Sequence, residues 1–139
     1  MRRVSHAVPI DAPPGEVAAL VGAFDLFADF HPQVAGCEAD GVEVGARRAL
    51  LLADGQTITE QLVEDLAPGY VYASLGPSEN MASWRGRIEI APRGEHALVT
   101  WTLEVEPREG VDADALMQRA QGLLEEGLGA AKRFLERLD

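Results

Sequence analysis

Residues 111–139 constrain the fold more than any other stretch of the chain. Leu116, Met117, Ala120, Leu123, Leu124, Ala131, Phe134, Leu135 and Leu138 recur at helical spacing, with Gln118, Glu125, Lys132, Arg133 and Glu136 opposite, the pattern of a long helix with one apolar stripe. Asp112 stands at the N-cap position and Asp114 in the first turn, while Lys132, Arg133 and Arg137 lie near the far end, where the helix dipole favours cations. At about 100° per residue the stripe is centred on Ala120, Gly127 and Ala131, with the larger side chains along its edges. Glycine costs about 1 kcal/mol relative to alanine inside a helix. A groove of small residues carrying that cost fits either the close approach of a sheet or space for a ligand.

The segments before it supply the partner. Residues 2–10 alternate, with Val4, His6, Val8 and Ile10 on one face, and read as a first strand. Asp11 precedes Ala12, Pro13 and Pro14, where proline in a first helical turn loses no hydrogen bond. Val17, Leu20, Val21 and Phe24 give that helix a buried side, and a second short helix through Leu26, Phe27 and Phe30 ends at His31-Pro32. From Val34 the period becomes two, with breaks at Gly41, Asp54-Gly55, Pro68-Gly69, Gly76-Pro77 and Arg93-Gly94. Strands are expected at 34–40, 45–53, 56–66, 70–76, 81–91 and 96–106. Connections this short make neighbours antiparallel, and Asp54-Gly55 is the strongest hairpin signal. A seven-stranded sheet with one long helix to cover it must curl around that helix. The fold class is α+β, with two short helices between the first and second strands.

At 139 residues the chain has the size of a single domain, 1–139. Its net charge of −11 excludes the clustered basic surface needed for nucleic acid or an anionic membrane. One cysteine, Cys37, forbids an internal disulfide, and three scattered histidines predict no metal site. No apolar run has transmembrane length and no signal peptide is apparent, so the expected location is cytoplasmic, with no membrane insertion. No cofactor is implied, and the chain is expected to be a monomer or homodimer.

This order of elements, with Ile10-Asp11-Ala12-Pro13 and Val17, Phe30-His31-Pro32 through Cys37-Glu38, Gly45-Ala46-Arg47-Arg48, Asp54-Gly55, Thr59-Glu60-Gln61-Leu62, Tyr70-Val71-Tyr72 and Glu106-Pro107, resembles the helix-grip superfamily. That superfamily includes START lipid-transfer domains, the major birch-pollen allergen, plant abscisic acid receptors and polyketide cyclases. The chain is most similar to its bacterial polyketide cyclase/dehydrase and lipid-transport (SRPBCC) family. The resemblance implies an apolar cavity between sheet and long helix, entered between the loops around Ala53-Asp54-Gly55 and Gly76-Pro77-Ser78. Ala35 matches the lysine that meets the carboxylate in the hormone receptors, so the same hormone is not the expected ligand.

Glu60 carries the clearest chemical signal. It shares a strand face with Ile58 and Leu62, opposite the more polar Thr57, Thr59 and Gln61. A carboxylate on an apolar face needs a partner, and Arg47 on the neighbouring strand is the candidate, on one face with Ala49 and Leu51. Trp84, beside Gly86 and Ile88, offers a flat surface to a ligand or packs in the core. Trp101, with Val99, Leu103 and Val105, reads as core. In the strand that begins at Tyr70, the aliphatic set Val71, Ala73 and Leu75 is expected to face inward and Tyr70 and Tyr72 outward. Cys37 shares its face with Ala35 and Ala39 as a small hydrophobe. His31, beside the expected entrance, is either a loop residue or a proton carrier. From the helix, Ala120, Leu124, Gly127 and Ala131 would complete the lining.

Three functions are compatible with this pattern. A carrier or sensor would hold a small hydrophobic molecule, aromatic, polyketide-like or lipid, in the cavity. A polyketide aromatase/cyclase or dehydratase would use Glu60 and His31 as acid and base, with Arg47 orienting a carbonyl or carboxylate. An interaction module would have a solid interior. No Ser/His/Asp set, phosphate-binding loop or metal-ligand cluster is present.

Overall fold

A computed structural model of the protein describes residues 1–137. The elements run β1 (Arg2–Ile10), α1 (Pro14–Val21), a 3₁₀ turn (Phe27–Asp29), β2 (Val34–Ala39), β3 (Arg47–Leu52), β4 (Thr57–Asp65), β5 (Gly69–Ser74), β6 (Met81–Arg93), β7 (His96–Pro107) and α2 (Ala113–Glu136). All seven strands form one antiparallel sheet in the order β1-β7-β6-β5-β4-β3-β2. The connection through α1 and the 3₁₀ turn carries the chain across the concave face, from one sheet edge to the other. Irregular register at Val34/Gly36, Leu62/Glu64 and Met81/Ser83 bends β2, β4 and β6, as bulges do.

Helix α2 runs parallel to β1 and is tied to it along its length. Arg2 Nη1 donates to Asp114 (2.7 Å), Gln121 Nε2 to the Ser5 carbonyl (3.3 Å), and Lys132 Nζ to the Pro9 carbonyl (2.7 Å), while the Asp11 N–H donates to Glu136 (2.9 Å). The spans agree: 22 helical residues rise about 33 Å, and nine extended residues about 31 Å. The Ala115 N–H donates to the Asp112 side chain, as the N-cap position predicts.

The centre of the stripe is buried as expected at Ala120, Gly127 and Ala131, with Leu116, Leu124, Leu128 and Leu135 beside them. Phe134 is a correction. It is 42% exposed, because α2 meets the sheet over a narrow strip that its ring lies beyond. Leu138 lies outside the described residues.

Candidate functional site

On the concave face one row of side chains crosses six strands. Ala39 is opposite Arg48, Arg48 opposite Glu60, and Glu60 opposite Ser74; the Trp84 N–H donates to Ser74 Oγ, and Trp84 faces Val105. Glu60 thus points inward, with Ile58 and Leu62, as its parity predicts. Its partner is Arg48 rather than Arg47. Arg48 is 1% exposed and its Nε and Nη2 both donate to Glu60 Oε1, at 2.9 and 2.7 Å. The other carboxylate oxygen accepts from Trp84 Nε1. Arg48 Nη1 donates to the Phe24 carbonyl (2.8 Å) and the Tyr70 hydroxyl (3.0 Å).

An aromatic shell closes around this pair. The guanidinium carbon lies 4.5 Å from the ring centres of Phe24 and Phe27, 4.8 Å from Tyr72 and 5.4 Å from Tyr70, distances at which ring faces attract a cation. Trp101 Nε1 donates to the Tyr72 hydroxyl at 3.0 Å. Among the described residues no buried side-chain nitrogen or oxygen lacks a partner, the condition under which a buried polar network is tolerated. Burial pushes the Tyr70 and Tyr72 hydroxyls above their ordinary pKa, Tyr72 the further of the two, so both stay neutral donors and acceptors near neutral pH.

The tyrosines reverse the expectation for their strand. Tyr70 and Tyr72 are each 2% exposed on the inner face because Arg48 and Trp101 satisfy their hydroxyls, while Leu75 is 40% exposed and Ala73 pairs outward with Gln61. Val71 is buried too, on the convex side. Arg47 is a second correction. It faces solvent with Ala49 and Leu51, beside Asp40 at 3.5 Å. The irregularity at Val34/Gly36 leaves Ala35 exposed, whereas Cys37 stays half-buried opposite Leu50.

Two small residues expected to make room for a ligand instead accommodate the protein's own rings. A Cβ on Gly86 would run into the Tyr72 ring, and one on Gly127 into the His31 ring, with Trp101 Cζ3 3.1 Å away. His31 is 1% exposed rather than at a rim. Its Nδ1 accepts the Gln33 N–H (3.1 Å), so its Nε2 carries the proton and donates to the Leu123 carbonyl of α2 (2.9 Å). Burial lowers its pKa from 6.5, outweighing the opposite pull of the Leu123 carbonyl and Glu126. With Glu60, Leu62, Trp84, Ile88, Leu124 and Ala131 also buried, no open hollow surrounds these side chains.

The expected entrance loops do meet: the Glu79 N–H donates to Gln56 Oε1 at 3.4 Å. Ile58 and Met81, on strands next to these loops, and Met117, one turn into α2, are partly exposed apolar residues packed on the core. Sequence reasoning missed Arg48, the two tyrosines, and Phe24 and Phe27 as parts of the centre.

A curved antiparallel sheet gripping a C-terminal helix defines the helix-grip class. The chain belongs to the polyketide cyclase/dehydrase and lipid transport family, whose model matches residues 1–136. Among solved structures it is similar to the protein XoxI from Bacillus cereus, with 25% identity over 99% of this chain and 98% of that one and a TM-score of 0.83. It is also similar to a START superfamily protein from Mycobacterium smegmatis, at 20% identity over 99% of each chain and TM-score 0.82. The di-domain ARO/CYC protein BexL matches at 15% identity over 93% of this chain and 47% of its own, with TM-score 0.69. The last two likenesses establish the fold alone. No curated protein matches the sequence. Among the described residues no helix is long and apolar enough to cross a membrane.

Proposed function

We propose that this protein binds a small, mostly apolar molecule between α2 and the sheet, as a carrier or sensor. The observation that carries this reading is the buried Arg48–Glu60 pair inside an aromatic shell. A buried ion pair adds little stability over well-packed apolar residues of the same volume, whereas a few directed polar groups among apolar walls is the make-up of a ligand pocket. Entry is at the Gln56 and Glu79 turns, past Ile58, Met81 and Met117. Because the interior is filled, the ligand must displace side chains as it enters.

The catalytic alternative has less support. Both nitrogens of His31 are engaged by backbone groups, and Arg47 faces away. The reading that competes is an interaction module with a solid interior, favoured by Gly127 closing on His31 and Trp101. A thermal-shift screen of hydrophobic compounds, with denaturing mass spectrometry of the purified protein, separates the two. Ligand binding requires a co-purifying molecule or saturable stabilisation by an apolar compound; neither appearing favours the solid module.

A further inference from the structure

His31 occupies the space where α2 comes closest to the 3₁₀ turn, and it holds three segments together through one ring. Its Nδ1 accepts from Gln33 on the approach to β2, and its Nε2 donates to Leu123 on α2. The ring packs edge-on to Trp101 of β7 (5.7 Å between centroids, 88°) and beside Phe27 (5.6 Å). Gly127 leaves no room for it to shift toward the helix. Close by, Gln33 Nε2 donates to Glu126 at 3.0 Å, a second tie between the same two segments.

This arrangement accepts only the neutral imidazole with its proton on Nε2. An imidazolium carries N–H groups on both nitrogens, so its Nδ1–H would point at the Gln33 N–H and turn an attraction into a repulsion between donors. The charges around the ring do not remedy this. From α2 the charge facing it is Glu126, which favours the imidazolium but is already bonded to Gln33 and gives Nδ1 no acceptor; the rings it meets, Phe27, Phe30 and Trp101, are uncharged.

From this geometry we infer that His31 is an acid-sensitive latch: taking up one proton expels the imidazole from between Gln33 and Leu123 and frees the middle of α2 from the 3₁₀ turn and β2. The vacated space lies directly under Gly127, where an added Cβ would meet the ring. If the binding reading above is right, acid then opens the interior and promotes release of the ligand. The latch itself does not depend on that reading and is testable in the protein alone.

The test is amide hydrogen exchange of the ligand-free protein at several pH values between about 6.5 and 5, corrected for intrinsic exchange and followed at Gln33, Gly127 and Leu128. An opening that binds one proton makes protection fall about tenfold per pH unit below the pKa of the free imidazole. The same amides in His31→Gln, whose side-chain amide can still donate to Leu123 but does not titrate here, should show a flat profile. Equal slopes in the two proteins would overturn the latch. Should His31→Gln fail to fold, NMR titration of the wild-type His31 ring decides. Protonation only below 6.5, together with loss of Gln33 protection, supports the latch; protonation near 6.5 with Gln33 unchanged refutes it. Binding assays are not used, so failure of the latch and failure of the ligand reading remain distinguishable.

Discussion

Replacing Arg48 by methionine removes the cation from the interior and leaves Glu60 held by Trp84 Nε1 alone. Breaking a buried pair from one side costs about 3–5 kcal/mol, because the remaining charge is uncompensated. Glu60→Leu strands Arg48 and costs a similar amount, so independent effects would sum to roughly 6–10 kcal/mol. The double variant behaves differently. It removes both charges and leaves the Phe24 carbonyl, the Tyr70 hydroxyl and the Trp84 indole N–H short of a partner. At about 1 kcal/mol each, near the low end for unsatisfied groups, this totals about 3 kcal/mol. The double variant should therefore be no less stable than either single one, a coupling of about 3 kcal/mol or more. Urea unfolding followed by tryptophan fluorescence measures all four proteins, with the m-values checked for constancy. Additive losses would refute the description of Arg48 and Glu60 as one desolvated unit.

Other expectations follow from single contacts. Gly122→Ala, with nothing within 4 Å of the new Cβ, should stabilise the protein by up to about 1 kcal/mol, whereas Gly127→Ala should destabilise it by roughly 1–3 kcal/mol because overpacking against His31 exceeds the gain in helix propensity; chemical denaturation of the two compares them directly. Gly86→Ala should lose stability through the Tyr72 ring, and Gly86→Ala combined with Tyr72→Ala should lose less than the sum of the single changes in the same assay. The chain has two tyrosines, both buried with pKa raised from 10.0 mainly by burial. For an acid held neutral in the fold, stability is complete below the unfolded pKa and is lost as pH rises above it. In an alkaline titration tyrosinate absorbance should therefore appear only together with unfolding; a reversible signal near pH 10 in the folded protein would contradict the burial.

The strand boundaries and the long helix were legible because each rests on local signals: periods of two and 3.6, Gly and Pro breaks, and Asp112 as a cap. The site was legible only in part. Glu60 could be assigned to the inner face because Ile58 and Leu62 share its parity. Its partner could not, because the choice between Arg47 and Arg48 depends on the length of the β3–β4 turn. Asp54-Gly55 taken as a two-residue turn puts Glu60 on the face of Arg47. The actual turn has three residues, Ala53, Asp54 and Gly55, with the Leu52 N–H donating to the Gln56 carbonyl and Gly55 at φ +94°, and one extra residue turns every side chain to the other face. In β5 both faces are buried, so hydrophobicity could not separate Val71 from the tyrosines; Arg48 and Trp101, distant in sequence, decide it. The small residues of α2 are compatible with either close packing or room for a guest, and the choice depends on His31, 96 positions before Gly127, whose ring fills the space.

The chain carries its own reporters of binding in the interior, since both of its tryptophans, Trp84 and Trp101, lie on the concave face within the polar network. The most direct measurement is an NMR titration of the two indole Nε1–H signals with the apolar compound that most raises the melting temperature. Binding between α2 and the sheet should shift both signals saturably and with one dissociation constant. A compound that stabilises the protein while both indole signals stay fixed would place its site elsewhere and contradict the proposal.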